Sequence, residues 1–132
     1  MMRRSLAVLA TVAVLGLGGC SSMGYGNSAG APPTRVTEGV LTNSAGMTLY
    51  TFDNDPVAGG KSVCNGPCAT NWPPLLAAAD AKAGGDYTII TRDDGARQWA
   101  YKGKPLYLWI KDVKPGDKTG DGVNKVWRVA RG

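Results

Sequence analysis

Apolar and polar residues alternate singly through much of the chain beyond residue 36, and the alternation is interrupted every few positions by glycine, proline, asparagine or aspartate. A period of two belongs to strands half-buried against a core, whereas a helix would repeat its apolar positions every three to four residues. Tyr50 and Phe52 fall on one face of such a strand with Leu49 on the other; Tyr107 and Trp109 share a face opposite Leu106. Turn residues at 43–46, 93–95 and 102–103 predict hairpins. These would fold 39–42 onto the strand at Tyr50, 87–92 onto the strand holding Trp99, and 97–101 onto the strand at Tyr107, with 126–129 closing the sheet. The pattern predicts a small all-β domain, mainly antiparallel, of six or seven short strands. One short helix is expected, in the alanine-rich stretch 75–82.

The domain repeats itself. Residues 46–55 and 103–112 align without a gap, 57 positions apart, and both read Gly-x-x-Leu-Tyr-x-aromatic-x-x-Asp. A tryptophan follows each copy, Trp72 and Trp127. Two copies of one cassette imply a pseudo-duplicated fold.

The first residues follow another pattern. Met1-Met2-Arg3-Arg4-Ser5 is a short cationic start, and the uncharged apolar run 6–17 is too short to span a bilayer as a helix. Residues 1–19 read as a secretory signal, and its end, Leu17-Gly18-Gly19-Cys20, resembles the lipobox of bacterial lipoproteins. That resemblance implies acylation of Cys20, and several acyl chains on one residue make membrane attachment effectively permanent. The alternative is an ordinary signal peptide with Cys20 incidental. Residues 20–35, rich in Gly, Ser and Pro, read as a tether from the lipidated cysteine to a domain over 36–132.

Composition narrows the chemistry. At 132 residues and 13.7 kDa the chain has room for one small domain. It contains no histidine, which removes the commonest general base and metal ligand. The formal charge of +5 falls to +3 without Arg3 and Arg4, and it is uneven: residues 20–81 carry −2 and residues 82–132 carry +5. A basic half beside a membrane suits anionic lipid or polysaccharide, although basic residues interspersed with acids also describe a simply solvated face. Nucleic acid is not an expected partner, since the chain is exported and its basic residues are spread out.

Cys64 and Cys68 form an even pair around Asn65-Gly66-Pro67, a sequence suited to a tight reversal. In an oxidising compartment a local disulfide is the first reading, worth about 2 kcal/mol for so short a loop. A thiol-redox couple or a soft-metal site with Met47 is the sharper alternative. Asp55 and Asp112, where the chain leaves its two motif strands, are expected to accept backbone N–H groups of the following turns. The competing reading is calcium held by Asp53 and Asp55, or by Asp117, Asp121 and Asn124, although neither spacing matches an EF-hand loop. The aromatic residues Tyr50, Phe52, Trp99, Tyr107 and Trp109 are core residues or, alternatively, a carbohydrate-stacking face. Trp72, Pro73 and Pro74 form either an exposed contact loop or a rigid corner plugged by the indole.

Together, the repeated motif, the segment from Cys64 to Leu75 and the ending Pro115-Gly116-Asp117-Lys118-Thr119-Gly120-Asp121-Gly122 before Trp127 resemble the secreted-repeat lipoproteins of bacteria, described by a Yx(FWY)xxD motif. That family is of unknown function and brings no catalytic residues to this chain. Its Cys-x-Gly-x-Cys spacing, met by Cys64, Gly66 and Cys68, favours the disulfide. The resulting expectation is an envelope lipoprotein, anchored by lipid to a membrane (the outer one in a Gram-negative cell), without cofactor or enzymatic activity. Its domain would serve as a binding or structural module for an envelope protein or polysaccharide.

Overall fold

The computed structural model describes residues 31–132. The signal segment, Cys20 and most of the tether therefore lie outside the described residues. Among those described, no helix is long and apolar enough to cross a membrane.

Seven short strands make up the domain: β1 (Thr34–Thr37), β2 (Val40–Asn43), β3 (Tyr50–Phe52), β4 (Tyr87–Thr91), β5 (Arg97–Tyr101), β6 (Lys104–Pro105) and β7 (Trp127–Val129). Every pairing is antiparallel: β1 with β2, β3 with β7, and β4 with β5 with β6. The all-β expectation holds, with β1 beginning inside the segment read as tether. The hairpins turning at 93–95 and 102–103 form as the turn residues predict. The one expected at 43–46 forms in a short version, bridging Thr42 to Thr48 with the Asn43 N–H bonded to the Met47 carbonyl and the Leu49 N–H to the Leu41 carbonyl. There Asn43 Oδ1 accepts the N–H groups of Ala45 and Met47 and tightens the turn. β2 also zips with β1 along its other edge, and its pairing with the segment after the turn ends at Leu49. β3 is left free to pair with β7.

The helix is also elsewhere than expected. Residues 75–82 are not helical: the Leu75 N–H donates to Leu106 and the Ala77 N–H to Arg97, so alanine's helix propensity loses to cross-strand bonding. The Arg97 guanidinium then collects the carbonyls of Ala78, Ala79 and Ala81. The single α-helix among the described residues, α1 (Pro67–Asn71), starts with proline at its first turn inside the disulfide loop.

The two copies are interwoven. In the first half, the Leu41 N–H donates to Ala130, Ala130 to Leu49 and Leu49 back to Leu41. In the second, Trp99 donates to Leu75, Leu75 to Leu106 and Leu106 back to Trp99. Each closed ring of three backbone bonds takes its third member from the other copy. The last segment of each copy, entered through Trp72 or Trp127, thus completes its neighbour's sheet. Tyr50 and Tyr107 meet at the centre and exchange both backbone bonds, at 2.8 and 2.9 Å.

The period-two alternation sorts side chains into two cores. Leu41, Leu49, Leu75, Trp99 and Leu106 fill one. Tyr50, Tyr107, Trp72, Trp127 and the Cys64 side fill the other, flanked by Phe52 and Trp109.

Candidate functional site

The repeated motif builds the second core. Tyr50 of the first copy donates its hydroxyl hydrogen to Asp112 of the second at 2.6 Å, and Tyr107 of the second donates to Asp55 of the first. Each motif therefore supplies the donor for its partner's carboxylate. The carboxylates' other oxygens cap the following loops, as the sequence led one to expect: Asp55 accepts the Val63 N–H at 2.7 Å, and Asp112 accepts the Thr119 N–H and hydroxyl at 3.0 and 2.6 Å. Burial, reinforced by the neighbouring carboxylates, pushes both tyrosine hydroxyls above their usual range and keeps them as donors. Burial also raises the carboxyl of Asp55, against the opposing pull of Tyr107, the Val63 N–H and the Arg92 charge.

The aromatic members of the motif are exchanged in the same way. Phe52 stacks on Trp127, Trp127 on Trp72, and Trp72 on Trp109, with centroids 4.3, 3.7 and 3.9 Å apart. Tyr50 meets Trp72 edge-on and Tyr107 meets Trp127 edge-on. The tryptophan after each copy is thus stacked upon by the motif aromatic of the other. Gly120 leaves room for this stack: a Cβ there would lie 2.8 Å from Trp72 and 3.0 Å from Trp109. Trp72 is buried, so the exposed-contact-loop reading fails for the indole. Pro73 and Pro74 are half-buried, with the Pro73 carbonyl bonded to the Leu108 N–H. Tyr50, Trp99 and Tyr107 are fully covered, and only Phe52 and Trp109 are half-exposed at the ends of the stack. Thus these five residues do not form a broad open face for sugar stacking.

A buried cation completes the interior. Arg92, 5% exposed, donates to Ser62 Oγ at 3.0 Å, Gln98 Oε1 at 2.7 Å and the Cys64 carbonyl, and more weakly to Asn65. Ser62 Oγ also accepts the Cys64 N–H, which leaves its own hydrogen for Tyr107. The chain of bonds then runs Arg92 to Ser62 to Tyr107 to Asp55, linking a buried cation to a buried anion through two hydroxyls. Sequence patterning missed Arg92, Ser62 and Gln98. Arg92 lies just beyond the end of β4, at the last position of the expected strand 87–92, and its inward position depends on cross-strand register that a single sequence does not reveal.

Cys64 and Cys68 are joined as a disulfide with Cα atoms 5.2 Å apart, and the bridge holds α1 beside the Arg92 network. Met47 lies elsewhere, on the turn after β2, and packs with neither sulfur in the shared core. The other acids of the calcium reading bond within the protein: Asp53 with Arg128 at 2.8 Å, Asp117 with Lys114 and the Val113 N–H at 2.9 Å, and Asp121 with the Val129 N–H at 3.1 Å. Among the described residues, no group of three or more Cys, Asp or Glu side chains is placed to hold a metal ion.

A family model described as a secreted repeat of unknown function matches the chain twice, over residues 35–76 and 88–131. The two matches enclose the two halves of the interwoven core. No curated protein and no solved structure matches the chain.

Proposed function

The chain belongs to this family of secreted repeats of unknown function, and from that premise we propose a lipid-anchored cell-envelope protein whose domain is a non-enzymatic binding or structural module. One observation carries the reading: the motif tyrosines, their aspartates, Arg92 and the cysteine pair are engaged within the protein rather than offered to a substrate. Both motif tyrosines face carboxylates, Arg92 is ringed by oxygen acceptors, and Cys64 is bonded to Cys68. A covalent or acid–base mechanism requires a nucleophile within reach of a base and of substrate. Here the tyrosines are kept protonated and covered. The anchor itself rests on Leu17-Gly18-Gly19-Cys20 and the preceding apolar run.

Palmitate labelling of cells producing the chain and its Cys20→Ser variant tests the anchor. Label on the first and none on the second is expected, with the variant leaving the membrane fraction. Unlabelled wild-type chain in the medium would overturn it. Turnover of any envelope component that is abolished by one side-chain change, with the fold intact, would overturn the non-enzymatic part.

A further inference from the structure

The interior is spent on structure, but the outer face of β3 and β7 carries a feature that the fold does not use. A groove of about 350 Å³ lies between this face and the β5–β6 hairpin, lined by Thr51, Tyr101, Lys102, Lys104, Arg128 and Arg131. Four of these are cations and none is acidic. Arg128 is held by Asp53 at 2.8 Å, an exposed pair. Lys102, Lys104 and Arg131 have no salt bridge among the described residues and are exposed. Three like charges around one hollow repel one another, and folding alone gives no reason to gather them.

The duplication supplies an internal comparison. With Gly46 matched to Gly103, and Trp72 to Trp127, the first-copy counterparts of Lys102, Lys104, Arg128 and Arg131 are Ala45, Met47, Pro73 and Leu76. None carries a charge. The counterpart turn and the counterpart exchanged segment therefore form without cations, so the basic groove is an addition made by the second copy alone. Lys102 strengthens the point. It sits at φ +50° in the two-residue turn before Gly103, a left-handed position that favours glycine or asparagine. Its ammonium lies 5.3 Å from the centre of the Tyr101 ring, at the side of the groove.

We propose that this groove is a binding site for a phosphate-bearing anion, which deepens the binding-module reading by giving it a place and a ligand chemistry. Three unpaired cations call for a ligand of more than one negative charge, and a phosphate group matches a guanidinium fork together with ammonium point charges. Thr51 and Tyr101 add hydroxyls that can bond phosphate or ester oxygens. The phosphate belongs either to a lipid headgroup at the membrane surface or to a soluble phosphate ester of the envelope.

Calorimetric titration of the full chain, carried in phosphatidylcholine nanodiscs, with inorganic pyrophosphate tests the site. The Lys104→Ala/Arg131→Ala variant should bind about tenfold more weakly or worse, with unchanged thermal unfolding. The Lys82→Ala/Lys118→Ala variant, equal in net charge, should bind as the parent does. Adding phosphatidylglycerol to the discs distinguishes the sources: competition lost in the groove variant identifies a lipid headgroup, and undiminished pyrophosphate binding a soluble ester. No binding by the parent at low salt, equal weakening in both variants, or acetate binding as tightly as pyrophosphate overturns the proposal. None of these outcomes bears on palmitate labelling, so the anchor and the groove fail separately.

Discussion

Changing Tyr50 or Tyr107 to phenylalanine keeps the ring edge against its tryptophan and removes only the hydroxyl, leaving a buried carboxylate oxygen of Asp112 or Asp55 without its donor. Each change is expected to cost about 1–3 kcal/mol in denaturant unfolding. Asp55 adds a pH signature. Burial raises its folded pKa above the ordinary 3.8, so the folded state holds this proton more tightly than the unfolded chain does. The resulting stabilisation is complete below the unfolded pKa and is lost as pH rises through the folded one. Asp55→Asn removes that titration while disturbing the bond from Tyr107. Its destabilisation relative to the parent should therefore be largest in acid and shrink towards neutrality, as read by unfolding at the two pH values. A gap that widens with pH would mean that the bonds and the Arg92 charge outweigh burial.

Among the elements, the disulfide loop and the exchanged segments contribute differently. The Cys64–Cys68 bridge closes only a short loop, and the adjoining Trp72 is held independently by its stack on Trp109 and Trp127. The Cys64→Ser/Cys68→Ser variant should lose about 2 kcal/mol and keep its near-ultraviolet tryptophan signal. Gly120→Ala is a sharper perturbation of the same core, since its Cβ meets two indoles; about 1–3 kcal/mol of overpacking is expected by thermal unfolding. The elements also mark what a sequence can reveal. Alternation at Tyr50, Phe52, Tyr107 and Trp109 was enough to assign both core faces and to place β3, because side-chain direction in extended chain is local; the second copy's motif strand is regular only at Lys104–Pro105, and Tyr107 joins Tyr50 and Pro74 through single bridges. The helix at 75–82 failed because the carbonyls and N–H groups of that alanine run are claimed by Arg97 and Leu106, residues distant in the chain. The duplicated motif was legible as a repeat, but not the exchange that makes each tyrosine serve the other copy's aspartate, because identity of two segments does not reveal which contacts which. The basic residues of the groove were visible only as an excess of charge in the second half until β5, β6 and β7 brought them together.

At the scale of the whole molecule, neither copy owns a complete core. Residues 31–81 lack the segment that bonds Leu41 and Leu49, and residues 82–132 lack the one that bonds Trp99 and Leu106. Each half expressed alone should stay unfolded, and mixing the two should restore order. The readout is the exciton circular dichroism of Trp72 and Trp127, whose rings lie parallel at 3.7 Å and come from different halves. A folded single half would contradict the exchange. The same exchange sets the order of events at the ribosome and the export channel. β3 waits for β7, which is made 75 residues later, between Phe52 and Trp127. A nascent chain therefore cannot lock its centre until β7 has been made, and it stays loose enough to be threaded through a translocation pore before it joins its two halves on the far side.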